Sequence, residues 1–192
     1  MPNQLFISHI GIAAPLLSDN IDTDQIIPSR EMKSVSKTGF AEGMFAGQRY
    51  IKDRIPNPDF VLNQPDYSGA TILLAGKNFG CGSSREHAVW ALKDYGIRVI
   101  VAESFGEIFY NNSIRNGLLP IVLEGGKIKE LSRELQIELP GQTIGDFSFE
   151  IAEGDKKMLL EGKDFIAQTL EHEGDISAFL ARDKDARSWI YK

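Results

Sequence analysis

Two short apolar runs, residues 70–75 and 97–102, are separated by a glycine-rich loop and one helical period, and this spacing constrains the fold most. Each run is too short for a core helix and lacks polar alternation, which is the pattern of a strand covered on both faces. Gly76, Gly80 and Gly82 follow the first run. Ala88, Ala91, Leu92 and Tyr95 then recur at i, i+3, i+4 and i+7, and Gly96 is suited to end that helix in the left-handed conformation. Ser83 and Glu86 stand three apart before the helix, which predicts a capping box with Ser83 as N-cap and Glu86 reaching back. Strand, loop, helix and strand make a βαβ unit with a right-handed crossover.

The rest of the chain extends this pattern. Residues 5–14 read as a strand, 19–28 as an acidic turn closed by Pro28, and 104–116 and 118–123 as a second helix and strand. Short strands at 135–139 and 147–151 precede helical stretches near 157–170 and 175–190. Residues 29–66 carry Pro56, Pro58 and Pro65 and no clear period, the pattern of a long binding or mobile loop. At 192 residues the chain suits one domain, spanning 1–192. The expected class is α/β, with βαβ units in a mixed sheet.

Charge and cysteine usage narrow the function. Lys and Arg number 21 against 27 Asp and Glu, a net charge of −6, which argues against sequence-independent nucleic-acid binding. No apolar run approaches the roughly 20 residues that span a bilayer, so no membrane partner is expected. The start shows neither the basic nor the apolar region of a secretory signal, and the expected location is cytoplasmic. Cys81 is the one cysteine, and the three histidines, His9, His87 and His172, are scattered. No resident metal is expected, because an iron–sulfur cluster or zinc ribbon needs several thiolates.

The chemistry concentrates in residues 76–87. Three glycines deliver the backbone onto a helix N-terminus, where N–H groups and the dipole favour anions. Ser83 and Ser84 add hydroxyls, and Arg85 adds a planar fork matched to a carboxylate or phosphate. The plainer reading makes Ser83 a cap and Arg85 a surface residue. A dinucleotide site is a rival, since Gly80-x-Gly82 opens the fingerprint and Glu103 lies about twenty residues on. Arg85 stands at its third glycine position, however, where it would obstruct close helix–strand packing. Cys81 could serve as a nucleophile or pack as a small residue, and His87 reads as a packed helix histidine. Asp22 and Asp24 could act in acid–base work or bond their own backbone in a turn.

Residues 20–28 (Asn-Ile-Asp-Thr-Asp-Gln-Ile-Ile-Pro) and 78–88 (Asn-Phe-Gly-Cys-Gly-Ser-Ser-Arg-Glu-His-Ala) resemble the swivelling domain of the aconitase superfamily. The resemblance is nearest to its isopropylmalate isomerase small-subunit family. It continues through Trp90-Ala91-Leu92-x-Asp94-Tyr95-Gly96, Ser104-Phe105, Ile108-Phe109-Tyr110, Leu118-Leu119-Pro120, Lys37-Thr38-Gly39-Phe40 and Thr169-Leu170-Glu171-His172-Glu173. It covers nearly the whole chain and implies an aconitase-type swivelling β/β/α domain.

By that resemblance the chain is one subunit of a hydro-lyase of leucine biosynthesis, interconverting 2- and 3-isopropylmalate through 2-isopropylmaleate. A separate large subunit is implied as partner, holding a 4Fe–4S cluster that this chain does not bind. Ser83 matches the catalytic base, and Gly82, Ser84 and Arg85 match substrate-binding positions. Asp24, Thr23 and His87 match supporting positions. No residue is assigned to the arginine that aconitase carries after the Thr-Asp motif, although Arg30, Lys33 and Lys37 lie near. Related citraconate/2-methylmalate or homoaconitate hydratases, and an anion-binding domain without a cluster partner, are the alternatives. Residues 29–45 are expected at the rim of the site, ordering against the large subunit and bringing Val35, Phe40, Met44 and Phe45 towards the substrate's alkyl group.

Overall fold

A nine-residue strand, β1 (Ser8–Leu16), pairs with different neighbours along its two halves. Ser8 to Ile12 run antiparallel to β5 (Glu134–Glu138), and Ala13 to Leu16 run parallel to β2 (Ile72–Ala75). The switch requires a bare backbone at Gly11, where a Cβ would lie 2.1 Å from Thr71 Oγ1 and 2.8 Å from His9 Nε2. The computed structural model describes residues 5–32, 38–162 and 173–191.

Beyond β2 the sheet continues in parallel with β3 (Val99–Ala102) and β4 (Leu119–Val122). Beyond β5 it continues antiparallel with β6 (Thr143–Ile144) and β7 (Phe147–Ser148). The order β4-β3-β2-β1-β5-β6-β7 is the expected mixed sheet. Helix α3 (Glu86–Tyr95) links β2 to β3, and α4 (Glu107–Arg115) links β3 to β4.

Alternation along the parallel strands divides the core by face. Leu73, Ala75, Ile100 and Ala102 belong to a cluster with Ala88, Val89, Ala91 and Leu92 of α3. Ile72, Leu74, Val99 and Val101 belong to a second, with Ile128 of α5 (Gly125–Glu130) and Leu159 of α6 (Glu153–Glu161). Each such Leu or Ile, fully buried, contributes about 1.5–3 kcal/mol. The central βαβ unit and the left-handed Gly96, φ +115°, match the sequence reading.

The proline-rich stretch is built of single turns rather than long elements. It includes α2 (Ala46–Arg49) and short 3₁₀ turns at Ser29–Glu31, Ala41–Gly43, Lys52–Arg54, Val61–Asn63 and Pro65–Tyr67. Phe40, Met44, Phe45, Phe60 and Leu62 bury their side chains in the α3-side core. The expected loop at 29–66 includes residues 33–37, among them Lys33, Val35 and Lys37, which lie outside the described residues.

The helix expected near 157–170 begins earlier, as α6, and residues 163–172, with His172, lie outside the described residues. Helix α7 (Glu173–Ala186) buries no residue. Among the described residues no helix is long and apolar enough to cross a membrane.

Candidate active site

Three segments leave the C-terminal ends of β1, β2 and β3 side by side, and the candidate residues sit where they meet. Asn20 N donates to Lys77 O at 2.8 Å, Gly80 N to Ile21 O at 2.7 Å, and Phe79 N to Ser104 O at 3.0 Å. These bonds carry the sheet into the loops, with bridges at Asp22–Cys81 and Phe79–Phe105. Gly80 allows the close approach: it sits at φ +73°, and a Cβ there would fall 2.1 Å from Cγ of Phe109. Only a residue without a side chain fits that turn against α4.

The segment after β1 ends in a single turn, α1 (Thr23–Ile26), and its two aspartates divide the roles that the sequence left open. Asp22 is the N-cap, its Oδ1 accepting from Gln25 N at 2.7 Å, so it bonds its own backbone. Asp24, exposed on the first turn, instead forms an ion pair with Arg85 Nη1. Between them Thr23, 2% exposed, donates from Oγ1 to Ser83 O at 3.0 Å and from its backbone N–H to Cys81 O at 2.9 Å.

On the other side of this contact lie Gly82, Ser83 and Ser84, all exposed, at the entry to α3. The expected capping box does not form. Arg85, in extended conformation, is the N-cap, and no side chain caps the helix. The Ser83 carbonyl is occupied by Thr23 Oγ1 and by the Arg85 N–H at 2.7 Å, and the Glu86 carboxylate lies 2.7 Å from Asn116 Nδ2. Tertiary partners have outcompeted the local pairing.

His87, one turn into α3, lies between the rings of Phe40 and Trp90, with centroid separations of 5.5 and 4.7 Å. It is a packed histidine that ties α3 to the turn at residues 39–41. The same turn is held by a residue whose role the sequence did not reveal. Asp94 Oδ2 accepts from the backbone N–H groups of Gly39, Phe40 and Ala41 at 2.9, 2.7 and 2.9 Å. An acid in the last turn of a helix opposes the dipole, and that misfit was the available signal. Phe40, Met44 and Phe45 are at most 1% exposed, in the core rather than at the site surface.

The arrangement offers two hydroxyls on exposed residues just before a helix N-terminus and a guanidinium whose Nη1 is anchored on Asp24. Among the described residues no acceptor meets the Nε–Nη2 edge of Arg85, which leaves a fork for a carboxylate. Beside Asp24 an open groove of about 350 Å³ is lined by Asp22, Asp24, Gln25, Pro28, Arg30, Gly47 and Gln48. Arg30 pairs with Glu31 at 3.4 Å. Glu103, the acid of the dinucleotide reading, lies 3.9 Å from Lys77 Nζ. Cys81 is half-buried. Among the described residues no three His, Cys, Asp or Glu side chains gather as a metal site.

Comparison with known proteins gives the same frame. Residues 3–126 match the family model described as the aconitase C-terminal domain. The chain is similar to the 3-isopropylmalate dehydratase small subunit of Cupriavidus necator, at 53% identity over 97% of both chains. It is also similar to that of Staphylococcus haemolyticus, at 48% identity over 96% of this chain and all of the relative. Among solved structures, a 3-isopropylmalate dehydratase from Methanocaldococcus jannaschii superposes with a TM-score of 0.68 at 28% identity. The match covers 90% of this chain and 99% of the other.

Proposed function

The chain belongs to the aconitase C-terminal domain family, among the 3-isopropylmalate dehydratase small subunits, and on that premise we propose how its residues work. It is the small subunit of a hydro-lyase that interconverts 2- and 3-isopropylmalate through 2-isopropylmaleate in leucine biosynthesis. It is active with a large subunit, in the cytoplasm, and has no nucleic-acid or membrane partner. The observation that carries this reading is the joining of Ser83 to Thr23 and of Arg85 to Asp24 at one helix N-terminus.

In this mechanism a substrate carboxylate lies against Gly82, Ser84 and the free fork of Arg85, which Asp24 holds in register. Ser83 removes the proton from the carbon next to the departing hydroxyl, and the electron pair of that C–H bond becomes the alkene. A serine oxygen is a weak base, and the guanidinium and the N-terminus of α3 favour its anionic form. Thr23 fixes the Ser83 backbone, and His87 fixes the packing of α3. Delivery of the proton from Ser83 to the carbon that lost the hydroxyl, with hydroxide added at the carbon that lost the proton, gives the isomeric alcohol. A 4Fe–4S cluster held by the large subunit would supply a Lewis acid for the departing hydroxyl. Ser29 and Arg30, exposed at the start of the 29–45 stretch, would face the large subunit, and closure there would exclude water from the alkene.

Co-expression with the large subunit and assay against a panel of alkyl-malates is the test. The expected result is turnover of 3-isopropylmalate above citraconate, 2-methylmalate and homoaconitate. Ser83→Ala in that complex should lose turnover by at least 100-fold, the lower end of one general base's contribution, with substrate binding retained. Near-normal turnover would remove Ser83 from the role of base.

A further inference from the structure

Glu86 opens α3 directly after its N-cap, Arg85, and its carboxylate is held by a side chain from outside the helix. The residue that draws it is Asn116, which ends α4, lies thirty positions away and is 5% exposed. Asn116 Oδ1 accepts from Trp90 Nε1 at 3.1 Å, and its Nδ2 donates to Glu86 Oε1 at 2.7 Å and to Asn112 O at 2.9 Å. An indole N–H can only donate, so the amide oxygen must face Trp90 and the NH₂ must face Glu86. The Asn116 carbonyl also accepts from Lys93 Nζ, so main chain and side chain together bind the end of α4 to α3.

A glutamate left to itself at this position swings towards the helix N-terminus, attracted by unpaired N–H groups and the dipole. That is also where an anionic substrate group would bind, and a resident carboxylate there would compete with it and repel it. We infer that Asn116 is a positioning residue for the reaction: it holds Glu86 on the α4 side of α3 and leaves the first turn, beside Ser83, Ser84 and Arg85, to a substrate carboxylate. The inference rests on the reading of this loop as a dicarboxylate site.

Two measurements test it. In the complex with the large subunit, Asn116→Ala is expected to raise the KM for 3-isopropylmalate roughly fivefold, the scale of one capping interaction, with kcat little changed. In a Glu86→Ala background the same substitution should leave KM where Glu86→Ala alone sets it. An equal rise in both backgrounds, or no rise in a folded complex, would overturn the proposal.

The second measurement needs no variant of Asn116. In a closed capping box the Ser83 amide donates to Glu86, so its NMR shift would follow the titration of that carboxyl. A Ser83 amide shift that stays flat through the carboxylate range in the unmodified chain is the expected result, and one that titrates with Glu86 would refute it. This readout is independent of turnover. A complex inactive on every alkyl-malate would defeat the dicarboxylate reading, while the Ser83 amide would still decide where Glu86 sits.

Discussion

Arg85 reaches across 61 positions of sequence to Asp24, and the pair matters for direction more than for stability. Asp24 is over half exposed, and ion pairs in such surroundings contribute only about 0–1 kcal/mol to folding. Asp24 anchors one arm of the guanidinium, Nη1. A lysine keeps the charge without the fork. Arg85→Lys should therefore lower kcat/KM in the assembled complex by about 100-fold, the cost of a misplacement near 1 Å, with the fold intact by circular dichroism. A loss of less than about threefold would mean that charge alone suffices. Residues of this kind were legible because glycines, hydroxyls and an arginine crowd into one loop. Asp94 was not, because its partners are backbone amides 53–55 positions away and backbone amides leave no trace in composition.

Helix α3 is held from both ends, and the attachment at its C-terminal end carries a prediction about the element. At its C-terminal end the Asp94 carboxylate gathers three N–H groups of the turn at 39–41. Asp94→Ala should cost about 1–3 kcal/mol, the range for leaving such donors unsatisfied. Hydrogen exchange should accelerate at Gly39, Phe40 and Ala41 while β2 and β3 stay protected, and unchanged exchange at those three amides would show the clamp to be incidental. Between α4 and α6, burial and then the Asp155 carboxylate push the Tyr110 phenol up to about 12. Because the folded phenol holds its proton longer than an unfolded one, its contribution is intact below pH 10. It is lost as pH rises from about 10 through 12. Denaturant midpoints across that window should fall less steeply in Tyr110→Phe, and parallel curves would remove Tyr110 as the cause. The helices and parallel strands were legible from period and from Gly96. The capping box was misread because a buried amide thirty residues downstream claims its glutamate, a competition that no local pattern encodes.

At the scale of the whole chain, the cysteine count sets a limit. With Cys81 as its one thiol it cannot supply the several cysteines that a 4Fe–4S cluster takes. Anaerobic reconstitution of the isolated chain should yield no stoichiometric iron and sulfide, and turnover should appear only on mixing with the large subunit. Stoichiometric cluster on this chain alone would overturn that division of labour. The mixed sheet was legible as a class but not in detail. Nothing in residues 5–14 announces that one strand serves a parallel and an antiparallel neighbour, since pairing is decided by segments far along the chain. That double pairing of β1 also sets an order of events during synthesis. The strand at residues 8–16 precedes both of its partners, the parallel one beginning at Ile72 and the antiparallel one at Glu134. Both edges of β1 therefore wait for long-range closures, which are slow because loop entropy is lost before any contact is gained. The strand that joins the two halves of the sheet is therefore synthesised before either of the partners that enclose it.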